Sequence, residues 1–130
     1  MKNTETSTAE RLTYEQTEMI QELVNCALAC DSCHTGSVRE DQPALHERSI
    51  QLTRECADIC FQASRLIMRD SELAETFLKV CEEACRLCAE ECRKYAAEHH
   101  KICAEACESC ATDCHEYHNK VSHRGSYLKH

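Results

Sequence analysis

Thirteen cysteines recur at one spacing. Cys81-x3-Cys85-x2-Cys88-x3-Cys92 is repeated as Cys103-x3-Cys107-x2-Cys110-x3-Cys114. A shortened form, Cys26-x3-Cys30-x2-Cys33, stands earlier, and the pair Cys56-x3-Cys60 supplies the fourth group. On an α-helix, at about 100° per residue, offsets of 0, 4, 7 and 11 fall within a stripe roughly 60° wide. On a strand the same offsets would scatter over both faces. The spacing therefore predicts four helices, each with its thiols on one side. Polar residues such as Glu82, Glu83, Arg86, Glu90 and Glu91, and Glu105, Glu108 and Asp113, fill the gaps and are expected to face solvent.

Leu, Ile, Val and Phe together make up under about a fifth of the chain, a share at which most sequences cannot fill a core. Cysteine replaces them, because a free thiol packs as a small hydrophobe. Only 2 Gly and 1 Pro punctuate the 130 residues, so long helices with short connections are expected. Thr13 and Gln16 form a capping box for a first helix from about Thr13 to Cys33, which Gly36 ends. Pro43 suits the first turn of a second helix, about Ala44 to Met68. Ser71 caps a third, about Glu72 to Ala97. The Cys pattern restarts after Glu98-His99-His100, giving a fourth helix from about Lys101 to Lys120. Short loops make the neighbours antiparallel. The fold class is all-α: an up-down-up-down four-helix bundle over residues 13–120 with a Cys-lined core. A polar segment, 1–12, precedes it and a loose tail, 121–130, follows.

A net charge of −8 argues against nucleic acid as a partner. No run approaches the roughly 20 apolar residues of a membrane span. Met1 to Arg11 carries no secretory signal, so a cytoplasmic setting with reduced thiols is expected.

Thiols at i, i+4 stand too far apart for a disulfide, yet a metal bound through sulfur spans the gap. Soft thiolates select Cu(I), Zn(II) or iron–sulfur clusters. Charge favours the first. A buried thiolate lining must be neutralised, and one Cu(I) per thiolate does so. A tetrathiolate Zn(II) site retains excess negative charge and calls for tetrahedral convergence, whereas straight helices offer stripes. Iron–sulfur ligation prefers loops with a Cys-Pro signature, absent here. The alternatives are a thiol-based Zn or Cd buffer and a cluster-bearing electron carrier. A purely structural role is disfavoured, because Ala would fill the same space without oxidation risk. No nucleophile–base pair is readable, which points to binding rather than catalysis.

Extended beyond the thiols, the stripes reach Met19, Leu23, Ser37, Ser49, Leu78 and His100. An antiparallel bundle gathers Cys33, His34, His46, Cys92, His99 and His100 at one end. It gathers Met19, Ile20, Leu23, Leu66, Ile67, Phe77 and Leu78 at the other. All 13 Cys are candidate metal ligands. His100, His99, His34 and His46 are candidates for metal uptake or auxiliary ligation, and so is Met19, although core packing is the stronger expectation for it. His115, His118, His123 and His130 belong to the surface or the tail, and Tyr95 and Tyr117 to packing.

At Cys56-Ala-Asp-Ile-Cys60, Cys81-Glu-Glu-Ala-Cys85-Arg-Leu-Cys88-Ala-Glu-Glu-Cys92 and Cys103-Ala-Glu-Ala-Cys107-Glu-Ser-Cys110 the chain resembles the cytosolic four-helix-bundle copper storage proteins. The likeness spans about Glu18 to Tyr117. It implies storage of several Cu(I) ions per chain by thiolates inside the bundle, and a homotetramer, and it raises a copper chaperone as donor. Cytosolic members often carry more Cys, so the departures lower the expected capacity.

Long capped helices with a repeat-wide core need no metal to order, unlike zinc fingers. Metal-free, reduced protein should therefore give a helical circular dichroism spectrum. A random-coil spectrum would overturn this.

Overall fold

A computed structural model of the protein describes residues 11–128, with side chains through residue 120. Helix α1 spans Tyr14–Val38. A 3-10 turn at Pro43–His46 leads into α2, Glu47–Met68. Helix α3 spans Ala74–Cys92 and α4 spans Glu98–Leu128. Each helix packs on the next in the chain and α4 closes on α1, with no diagonal pairing. That ring of neighbours is the expected up-down-up-down bundle.

Local chemistry sets most of the boundaries. The Thr13 hydroxyl accepts the Gln16 N–H at 3.0 Å and the Gln16 side chain accepts the Thr13 N–H at 2.8 Å, which completes the capping box. Pro43 opens the 3-10 turn, where its missing N–H costs nothing. Helix α2 ends with Asp70 at φ 55 and with the Ser71 N–H on the Leu66 carbonyl, the left-handed reversal that satisfies terminal carbonyls.

Boundaries differ from the sequence expectation in five places. Helix α2 begins at Glu47 rather than near Ala44, because Pro43–His46 winds as a 3-10 turn. Helix α1 does not stop before Gly36 but runs two residues beyond it, because that glycine is needed for space rather than for a reversal. Helix α3 begins at Ala74, since the Ser71 hydroxyl accepts the Leu73 N–H in a turn instead of capping at once. The α3–α4 break falls at residues 93–97, five residues earlier than the Cys repeat suggests. There the Lys94 and Tyr95 N–H groups turn back onto Glu91 and Cys92. His99 and His100 therefore lie in the first turn of α4, not in a loop. At the other end α4 continues as helix through residues 121–128, where sequence alone expects a loose tail. The segment before residue 11 lies outside the described residues, and so do the side chains of His123 and His130.

All thirteen cysteines are free and buried. Their stripes meet along the bundle axis with Ala27, Ala57, Ala63, Ala89, Ala104 and Ala111 between them. Met19, Leu23, Ile67 and Leu78 close one end of this core, with Ile20, Phe77 and Tyr117 packed against it. Every residue on the extended stripes is buried as well, including Ser37, Ser49 and His100. Glu91 departs from its expected solvent position. It is 5% exposed, and Arg48, Lys94 and the Tyr95 hydroxyl surround its carboxylate at 3.4, 3.0 and 2.9 Å.

The apolar end carries the large side chains in a core otherwise made of small ones. Leu23→Ala and Leu78→Ala should each cost about 2–5 kcal/mol, measured by urea denaturation of the metal-free protein. Phe77→Ala should cost clearly less, because Phe77 is only partly buried. Equal losses at all three positions would contradict this placement.

Candidate metal centre

Stripes from different helices converge to a degree that a single helix does not suggest. Sγ atoms of Cys26 and Cys85 lie 3.9 Å apart, Cys56 and Cys85 3.7 Å, Cys60 and Cys81 3.6 Å, Cys30 and Cys107 3.5 Å. Within one helix the i, i+4 pairs Cys56–Cys60 and Cys103–Cys107 stand at 3.9 and 4.0 Å. Metal–thiolate bonds of about 2.3 Å place three sulfurs around one ion roughly 4 Å apart, so these spacings need little adjustment.

Five sets of donor atoms lie within 4.8 Å of one another. From one end they are Cys33, Cys92 and His100, then the quartet Cys30, Cys88, Cys103 and Cys107. Next come the quartets Cys26, Cys30, Cys56 and Cys107, and Cys26, Cys60, Cys85 and Cys110. The last set is Cys81, Cys110 and Cys114. The quartets correct the expectation that straight helices present only stripes, because four thiols from several helices do converge. The sets also overlap: Cys26, Cys30, Cys107 and Cys110 each belong to two. The thiols thus form one continuous sulfur path rather than separate sites.

Protons are unevenly held along that path. The neighbouring thiols pull Cys103 down to about 2, first through Cys107, and Cys88 down to about 2, first through Cys103. Contact with Cys103 contributes most to pushing Cys33 up to about 12. Cys30, Cys60 and Cys85 are also raised, first by Cys103, Cys110 and Cys107 respectively, with burial adding to each. Among the described residues no Lys or Arg is buried. A thiolate core therefore has no internal cation to balance it.

Beyond the last thiols the Cys33–Cys92 end is lined by imidazole and hydroxyl groups. His100 is fully buried, with its Nε2 3.0 Å from the Ser49 hydroxyl and 3.2 Å from that of Ser37. Its Nδ1 is buried without a hydrogen-bond partner. Burial, reinforced by the nearby His99 and His46, pushes its pKa down, which keeps the ring neutral and able to ligate. Tyr95, His46 and His100 cluster as mutually stacked rings, with centroids 4.8 Å apart for His46 and Tyr95, 4.3 Å for Tyr95 and His100 and 5.5 Å for His46 and His100. Its hydroxyl donates to Glu91 and to the Leu45 carbonyl. Burial raises the Glu91 carboxyl, but the Lys94 and Tyr95 hydrogen bonds outweigh it and leave it below the ordinary carboxylate range.

The candidate residues divide accordingly. His99 and His100 reach the thiols. His46 joins the ring cluster at the imidazole-bearing end. The His34 Nδ1 lies 3.1 Å from the Ile50 carbonyl, a link between α1 and α2. Met19 sits in the apolar cluster at the far end. Sequence reasoning missed Glu40, Gly36, Tyr95 and Glu91 as parts of the imidazole-bearing end. It also missed a thiol–imidazole–carboxylate chain, in which the His99 Nδ1 is 3.3 Å from the Cys33 sulfur and the His99 Nε2 is 2.8 Å from Glu40. The i, i+3, i+7 spacing of Cys33, Gly36 and Glu40 was a signal that could have found two of them.

The copper storage protein family matches residues 12–119, nearly the whole bundle. A cysteine-rich protein from Bacillus subtilis, YhjQ, is 35% identical over 80 residues, 62% of this chain and 74% of that protein. The bundle superposes on a Cu(I)-bound copper storage protein, BsCsp3, with a TM-score of 0.76 at 32% identity, over 78% of this chain and 96% of that one. It superposes on a cytosolic copper storage protein from Streptomyces lividans, holding five coppers, with a TM-score of 0.75 at 30% identity, over 78% and 90%. A bundle of this order whose thirteen inward thiols gather in donor sets, most of them overlapping, matched along nearly its full length, belongs to the copper storage protein family.

Proposed function

We propose that the chain sequesters several Cu(I) ions on its core thiolates, taking them up at the His-bearing end. One observation carries this reading: four of the five donor sets overlap, so sulfurs are shared from the Cys30–Cys88–Cys103–Cys107 quartet through to Cys114. Shared thiolates suit a monovalent ion that each sulfur can neutralise singly, and the core offers no other counter-charge. The quartets give the competing Zn(II) or Cd(II) reading its best support, since four sulfurs can surround a divalent ion. Overlap counts against it, because filling one quartet takes a sulfur from the next.

The mouth is assigned by contrast. Leu23, Ile67 and Leu78 pack the opposite end, where large aliphatic side chains stand between solvent and the thiols and no imidazole leads inward. At the other end His99 and His100 hand directly on to Cys33, Cys92 and Cys103. Uptake in the cytoplasm from a copper chaperone, and assembly of four copies, remain part of the reading. The cytosolic relative supports the cytoplasmic setting. An apolar groove lined by Leu52, Ile59, Val80, Ala84 and Leu87 supports association. No described helix is long and apolar enough to cross a membrane.

Titrating reduced protein with Cu(I) against a chromophoric chelator should show uptake continuing well past three or four equivalents. A sharp endpoint there would overturn shared ligation. Because the raised thiols keep their protons until metal arrives, loading in weak buffer should release about one proton per Cu(I) taken up by such a thiol, read with a pH indicator. Loading without proton release would contradict the protonation pattern. Replacing His99 and His100 together by Ala should slow Cu(I) uptake in stopped flow while leaving the final capacity nearly intact. Leu23→Ala should leave the rate unchanged. The reverse pattern would mean that copper is taken up at the apolar end.

A further inference from the structure

His99 is held in place by parts of α1. It belongs to the first turn of α4, yet its ring lies across the last turn of α1 at Gly36. A Cβ on Gly36 would stand 2.8 Å from Cδ2, 2.9 Å from Cγ and 3.0 Å from Nε2 of that ring. Real Cβ atoms do not approach so closely, and the ring, held at Nδ1 by Cys33 and at Nε2 by Glu40, would give up those contacts in swinging aside. Gly36 is helical and has no positive φ, so backbone conformation does not require a glycine there. Glycine is also the poorer helix former. The space explains it.

Two further contacts fix the ring's angle and its protons. Glu40, one turn beyond Gly36, stands with Oε2 2.8 Å from His99 Nε2. That contact holds the Glu40 carboxyl below the ordinary carboxylate range. A carboxylate has no proton to give, so Nε2 carries the hydrogen. With Nε2 held by Glu40, the ring turns its Nδ1 to the Cys33 sulfur, 3.3 Å away. Cys33 and Gly36, at i and i+3 on one face of α1, supply the sulfur and the space, and Glu40, just past the helix end, supplies the acceptor.

We propose that Gly36 and Glu40 are positioning residues which hold His99 in the pose and tautomer that make Nδ1 of His99 and Sγ of Cys33 a mixed nitrogen–sulfur landing point for incoming Cu(I). The proposal rests on the His-bearing end being the mouth. A carboxylate that orients a metal-binding imidazole through its other nitrogen is a general device for raising ligand basicity. On arrival Cu(I) leaves the thiol that delivers it and bonds to Nδ1 and Sγ. The Cys33 S–H proton passes to the departing thiolate, and copper remains Cu(I) throughout. Cys33 contacts Cys103, so the next exchange leads into the first thiol quartet.

The test measures stopped-flow uptake of the first equivalent of Cu(I), supplied as its glutathione complex, in four single variants and one double variant. His99→Ala should slow it. Glu40→Ala and Gly36→Ala should each slow it about tenfold, the scale on which such supporting partners act, with final capacity unchanged. Glu40→Gln should recover most of the rate, because its amide oxygen still accepts the Nε2 hydrogen. Adding Gly36→Ala to His99→Ala should slow uptake no further and should raise the melting temperature, since only the ring made alanine unwelcome. Nitrogen-15 shifts of His99 in the metal-free protein should show the Nε2–H tautomer, lost in Glu40→Ala and kept in Glu40→Gln. If His99→Ala is slow while Glu40→Ala and Gly36→Ala load at the wild-type rate, the positioning proposal fails and the mouth stands. If His99→Ala itself loads at the wild-type rate, the mouth has been misassigned and the proposal falls with it.

Discussion

A thiol buried in a helix bundle must sit against something, and here it sits against other thiols. Thirteen fully buried Sγ atoms, spaced 3.5–4.0 Å from their partners where they touch, take the place that Leu and Ile hold in an ordinary bundle core. That substitution is thermodynamically thin. A thiol buries less apolar area than a Leu side chain, and burial drives folding in proportion to area. Order is supplied elsewhere: by the capping box at Thr13, by alanines that let the helices approach, and by Leu23, Ile67 and Leu78 at one end. The oil-rich end anchors the fold, and the thiol-rich length is left free for chemistry.

The same constraint decides the cargo. Thiols packed this closely share protons, and some are driven to hold them while others give them up. Full ionisation of the core without metal would gather negative charge in a space with no buried cation. A soft monovalent ion removes both difficulties, since it replaces a proton one for one and tolerates sulfurs shared between neighbours. Divalent ions would fill quartets one at a time and leave charge behind. The copper storage family and the geometry of this core therefore agree for a physical reason.

Most of the bundle was legible because helical periodicity is local. The 0, 4, 7, 11 spacing gave the inward face of each helix, and every cysteine and every extended-stripe residue is buried as that spacing requires. Helix ends were less legible wherever the deciding contact was distant in sequence. Gly36 reads as a terminator until His99, 63 positions away, is seen lying on it. Glu91 reads as a surface residue until Arg48 of α2 and Tyr95 of the turn close over it. The α3–α4 break carries no Gly or Pro, so nothing local announces that the helix stops at Cys92. Quartets are illegible for a related reason: a stripe can be drawn from one helix, but a quartet needs three or four helices in register.

Along its axis the core forms a graded series of environments. Imidazole and hydroxyl groups stand at one end, thiols fill the middle, and aliphatic side chains close the other. The gradient follows from antiparallel topology. Each stripe changes chemistry at the point where its helix reaches a given end: Leu23 becomes Ser37 along α1, Ile67 faces Ser49 along α2, and Leu78 gives way to Cys92 along α3. Only alternation of chain direction brings Ser37, Ser49, Cys92 and His100 to the same level. A parallel arrangement of the same helices would mix aliphatic and ligating groups at both ends, leaving neither a mouth nor a plug. Topology, read through four short stripes, is thus what turns a symmetric set of thiols into a container with a direction.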